Sequence, residues 1–89
     1  MQRSAAETIA LKALAHLAAD GDGLVRFLSL SGLDLDDLRA RADNPELLAG
    51  VMEFLLSDEG LCAGFMAAKE LDSPTLHAVR RALPGAADT

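Results

Sequence analysis

Two histidines, one cysteine and fourteen carboxylates are the side chains of this sequence best suited to hold a metal or move a proton, and the cysteine is its strongest nucleophile. His16 follows Thr8 and Lys12 along one line of a helix, and His77 lies on the outer side of the last helix near Arg81. Neither has an acidic pair at ligand spacing beside it, so no tetrahedral metal set is expected. Asp20-Gly-Asp-Gly23 opens like a calcium loop, but the ligand series and its closing glutamate do not follow, and the segment reads as a turn. Cys62 stands between Leu61 and Phe65 on an apolar face, where a thiol behaves as a small buried hydrophobe. A helix N-terminus would favour its thiolate, but Asp58 and Glu59 at the same end oppose it. Paired carboxylates divide acid and base roles only in a pocket that shifts one of them. Both acidic clusters, Asp34 to Asp37 and Asp58-Glu59, instead open helices, where a carboxylate completes a cap and meets the positive end of the dipole. The sequence therefore predicts no catalytic, cofactor or metal residues, no enzyme and no small-molecule ligand, and it assigns no binding residue.

Those residues must be positioned by helices. After Ser4-x-x-Glu7, a capping-box pattern, Ala6, Ile9, Ala10, Ala13, Leu14 and Leu17 recur on one face, predicting a helix over 5–19. A second helix covers Leu24 to Ser31 and stops at Gly32. Asp34 and Asp37 cap a third, with Leu35, Leu38 and Ala42 inward and with Asp36–Arg39 and Asp37–Arg41 spaced for ion pairs. Asn44-Pro45 starts a fourth, apolar on nearly every side and hence central, in which Gly50 predicts the close passage of a neighbour. Asp58 caps a fifth to about Glu70, and Leu71-Asp-Ser-Pro74 leads into a sixth that ends near Leu83. No segment alternates with period two, so the fold class is all-α, a compact bundle of five to six short helices. The predicted limits are an N-terminal tail at 1–4, one helical domain over 5–83 and a frayed C-terminal tail at 84–89.

Sliding the chain on itself so that Asp20 falls on Asp58 also superposes Leu17 on Leu55, Phe27 on Phe65, Leu33 on Leu71, Asp34 on Asp72, Leu38 on Leu76 and Ala40 on Ala78. Two readings stand: a tandem of two three-helix units, or the chance likeness of leucine-rich helices. The first predicts matching burial of Leu17 with Leu55, Phe27 with Phe65 and Leu33 with Leu71 around an approximate twofold.

Composition narrows the function. At 51% hydrophobic and 25% charged, the chain is too apolar for disorder and its charges are too scattered for a membrane span. A net charge of -6 repels phosphate backbones and anionic lipid. With no Trp or Tyr and only Phe27, Phe54 and Phe65, a base-stacking platform cannot be assembled. A lone cysteine and an N-terminus without a secretory pattern predict a cytoplasmic setting. Leu24 to Arg41 has the outline of a helix-turn-helix, but its second helix opens on Asp34, Asp36 and Asp37, where base and phosphate contacts belong.

Phe27-Leu28, Ser31-Gly32-Leu33, Leu38-Arg39, Val51-Met52-Glu53-Phe54-Leu55 and Asp58-Glu59 resemble, in order and spacing over about residues 5–80, a family of short alphaproteobacterial proteins, the domain of unknown function 3572. The resemblance implies a bacterial lineage and no activity. The functional expectation is a non-enzymatic protein-protein interaction or regulatory module, with a groove between its halves for a partner helix or a second copy. Phe54, Leu56, Leu11 and Leu30 supply apolar surface outside the main stripes. The alternative is a helix-turn-helix-like nucleic-acid binder presenting Arg39 and Arg41.

Overall fold

Helix starts in this chain are set by short polar side chains, with two exceptions. The computed structural model describes residues 1–84, and among them lie α1 (Arg3–Ala19), α2 (Gly21–Ser31), α3 (Leu35–Ala40), α4 (Pro45–Ser57), α5 (Glu59–Lys69) and α6 (Ser73–Ala82). Asp34 and Asp37 form a reciprocal capping box on α3, Asp34 Oδ1 accepting from the Asp37 amide at 2.8 Å. Asn44 Oδ1 accepts from the Glu46 amide at 2.8 Å, Asp58 Oδ1 from the Leu61 amide at 3.0 Å and Asp72 Oδ1 from the Thr75 amide at 2.9 Å. Each satisfies an amide that the first helical turn leaves without a partner.

The exceptions correct two expectations. Gln2, not Ser4, precedes α1, and it offers no side-chain cap. Ser4 is already inside the first turn, its carbonyl accepting from Thr8 Oγ1, while Glu7 is drawn to Arg3 at 3.3 Å instead of reaching back to cap. Gly21 to Gly23 are helical and do not form a turn, and Asp20 precedes α2 without a side-chain bond. At the predicted end of the helical domain Leu83 is buried, and just beyond it the Pro84 carbonyl accepts from Arg80 Nη1 at 3.0 Å. Residues 85–89 lie outside the described residues.

α1 and α4 pack on each other at the centre. α1 contributes Ala6, Ala10 and Ala13, all buried and small enough to let its neighbours approach, followed by Leu14 and Leu17. α4 contributes Leu48, Ala49, Val51, Met52 and Leu55. α2 lies on α1 and also touches α4, α5 lies on α4 and also touches α1, and α6 packs on both central helices. Burying a leucine or phenylalanine from water is worth about 1.5–3 kcal/mol, so this one continuous cluster carries the fold.

The halves are related as a twofold requires. Phe27 of the first half meets Phe54 of the second edge-on, with centroids 5.6 Å apart and planes at 64°. Exchanging halves turns that pair into Phe65 and His16, which are 5.5 Å apart at 59°. Arg26 over Phe54 becomes Gly64 beside His16, where a Cβ on the glycine would lie 3.5 Å from His16 Nε2. A Cβ on Gly23 would lie 3.2 Å from Leu61, its own counterpart, which puts that contact on the axis. A translational repeat would not return contacts between the halves in this reciprocal way. Leu17 with Leu55 and Phe27 with Phe65 are buried in pairs as expected, whereas Leu33 and Leu71 match each other only as half-buried corner residues.

The corners repeat in backbone geometry as well. Gly32 has φ 76° and its counterpart Glu70 has φ 54°, each a left-handed residue that closes a helix ahead of a Leu-Asp pair. Asp34 and Asp72 follow with φ/ψ of -100°/177° and -111°/168°. A side chain in the left-handed region costs about 1–2 kcal/mol, whereas glycine adopts it freely. Nothing lies within 4 Å of a Cβ on Gly32, so only backbone strain opposes one there. Glu70→Gly is expected to raise stability by about 1 kcal/mol and Gly32→Ala to lower it by a similar amount. Urea melts of the two variants check both signs.

Three further expectations fail locally. No atom lies within 4 Å of a Cβ on Gly50, so no helix passes close there; the tight glycine is Gly23. Leu35 is exposed, because α3 ends at Ala40 and turns only Leu38 fully inward. Among the described residues neither Asp36–Arg39 nor Asp37–Arg41 forms an ion pair. Asp37 serves the capping box, and Arg41 has left the helix.

Candidate functional site

The symmetry breaks at the third helix of each half, and a cleft opens there. The Arg41 amide is shared between the carbonyls of Asp37 and Leu38 at 3.1 and 3.3 Å, a tightened turn that ends α3 after six residues. Such a helix is about 9 Å long. α6 has ten residues and buries Leu76 and Val79, with Leu83 buried just beyond its end. With α3 so short, the face of α1 carrying Leu11, Leu14, Ala15 and Ala18 stays open, and the resulting cleft of about 430 Å³ is floored by Leu14, Leu24 and Leu38. Leu11 on one wall and Leu35 on the other are 41% and 42% exposed. Arg39 alone among the residues lining it is charged. The groove thus lies inside the first half and not between the halves, where α1 and α4 are closed on each other.

A second apolar depression, about 330 Å³, lies between α2 and α4 around Phe27, Leu30, Gly50 and Phe54. Leu30 is 79% exposed beside it, but the Phe54 ring is half-buried and carries the Arg26 guanidinium 5.7 Å from its centroid. Of the remaining apolar residues singled out, Leu56 is half-buried against the core.

The polar depression of about 690 Å³ is where chemistry would have to occur, since it gathers His16, Asp20, Asp22, Arg26 and Asp58. Two of its groups, Arg26 and Asp58, are already committed to each other. Asp58 accepts from the Leu61 amide and from Arg26, and those two contacts hold its carboxyl below the usual aspartate range. A general acid needs the opposite shift. His16 packs its ring against Phe65. Among the described residues no three His, Cys, Asp or Glu side chains come together as a metal group. Cys62 lies in the core, and burial pushes its thiol up, away from a nucleophilic thiolate. Asp72 is held low by its hydrogen bonds from Thr75, in keeping with capping. His77 and Arg81 are exposed on α6 and belong to none of these depressions.

The helix-turn-helix outline survives as α2, corner and α3, but the recognition element is six residues long and opens on three carboxylates. Arg39 and Arg41 are exposed at its far end, and among the described residues neither has an acidic partner. No described helix is long and apolar enough to cross a membrane.

The sequence places Leu11 in the uncovered apolar set and Leu38 in the core, as found, but it turns Leu35 inward as well and gives Arg39 to an ion pair. The sequence signal for the cleft is Arg41 standing where Val79 stands in the second half, an apolar stripe cut short. Residues 3–86 match the family described as Protein of unknown function (DUF3572), and the chain belongs to that family. No curated protein and no solved structure matches it.

Proposed function

We propose that this family member is a non-enzymatic interaction module, regulatory in role, that receives a protein partner in the cleft between α1 and α3. The observation that carries the reading is the cleft itself, with two leucine walls left two-fifths exposed on either side of an apolar floor in so small a chain. Among the described residues, no competing depression offers a free nucleophile beside a base. The net charge of -6 argues against nucleic acid as the partner, as do the carboxylates on α3.

A photo-crosslinkable phenylalanine analogue at position 35, expressed in the native host, is expected to give a discrete adduct with one protein. The same group at exposed Ala67, on α5, is expected to give none. Identical patterns from the two positions, or no adduct from either, would remove the proposal.

A further inference from the structure

α3 is fastened to the rest of the chain far more loosely than α6, its counterpart. Leu38 is its one buried side chain, whereas α6 buries Leu76 and Val79 and is followed by buried Leu83. α6 lies on both central helices, and α3 alone among the six has no such extended packing on another helix. Arg80 ties α6 to Glu53 of α4 at 3.0 Å, but among the described residues no side chain of α3 reaches another helix through a hydrogen bond or an ion pair. Ala42, just past its end, adds one small apolar contact with the core.

The neighbouring helices do not need α3 to complete their ends. The Gly32 amide closes α2 on the Leu28 carbonyl at 3.0 Å before α3 begins, and Asn44 caps α4 with its own side chain after α3 has ended. The capping box of Asp34 and Asp37 is internal to the segment. The first junction is spanned by the Leu33 amide on Ser31 Oγ at 3.4 Å and the second by the Asn44 amide on the Arg41 carbonyl at 2.8 Å. Isolated helices shorter than about 12–15 residues do not hold in water, so α3 melts once Leu38 leaves the core. We propose that α3 is a lid: residues 33–43 open as one unit between hinges at Gly32 and Asn44 while the other five helices stay folded. Opening bares Leu14 and Leu24, the floor of the cleft, and so sets how much apolar face the first half presents. That the lid controls a partner's access rests on the reading of the cleft as an interaction surface, whereas the opening itself does not.

Amide hydrogen exchange of the full chain, read by NMR at rising urea below the unfolding transition, tests the lid. The Leu38 and Arg41 amides are expected to be protected about 10- to 100-fold, the size of one buried leucine, with little dependence on urea. Their counterparts at Leu76 and Val79 should be protected at least about tenfold more. Leu38→Ala removes the anchor without touching the opened form. Protection in α1 and α4 should then fall by no more than the factor that protects α3 in the wild type, whereas Leu76→Ala should lower it further. If Leu38 and Arg41 exchange together with α1 and α4 and share their urea dependence, or if Leu38→Ala exceeds that ceiling, there is no lid, whatever the adduct at position 35 shows. Early exchange of α3 with no adduct keeps the lid and removes the reading of what it covers.

Discussion

Phe65→Ala is expected to cost about 3–5 kcal/mol of unfolding free energy, the largest loss of any single truncation in this chain. The ring is 0% exposed, lies on α5 and packs against His16 of α1, so it ties the second half to the first. Domains of this size have about 5–15 kcal/mol in total, and the variant would be left near the edge of folding at 37 °C. Phe27, its counterpart, is buried almost as deeply against half-buried Phe54. Phe27→Ala should then also destabilise strongly, though less. Chemical denaturation of both variants tests this, and a Phe65→Ala protein that melts with the wild type would mean that the ring does not belong to the core.

The second large effect is a matched pair. Leu17 and Leu55 both have no exposure and occupy equivalent places on the two central helices. Truncation of either to alanine is expected to cost about 2–5 kcal/mol, the range for a buried leucine whose surroundings collapse only in part. Because a twofold gives the two sites similar walls, their losses should agree within about 1 kcal/mol, closer than two unrelated core leucines would. Urea titrations with a shared slope would decide it. A large disparity would mean that the exchange of halves holds for the rings and corners but not for the packing between α1 and α4.

Most of this fold was legible because its punctuation is local. Asp34, Asn44, Asp58 and Asp72 cap helices through atoms within three residues, and a local pattern is what a sequence displays. The same locality misled at Ser4, whose capping pattern lost to an Arg3–Glu7 pair and a helix that starts earlier. Gly50 misled because a helical glycine signals close approach only if a neighbour comes, and the neighbour went to Gly23. The repeat was visible as identities but became decisive only through partners across the halves, such as Phe27 with Phe54 and Phe65 with His16, which no pairwise spacing encodes. The cleft was the least legible part. It follows from how far α3 runs, which turns on one shared amide hydrogen bond at Arg41.

The reciprocal ring contacts carry one more consequence. Residue i of one half meeting j of the other, while the counterpart of j meets that of i, is the contact rule of an isologous homodimer. The chain is thus built as two three-helix subunits fused through the short connection from Arg41 to Asn44, with α1 and α4 as the buried subunit interface. In such a fused pair the two copies no longer have to be identical. One copy has a third helix of ten residues that packs on both central helices, while the third helix of the other stops after six and leaves Leu11 and Leu35 exposed.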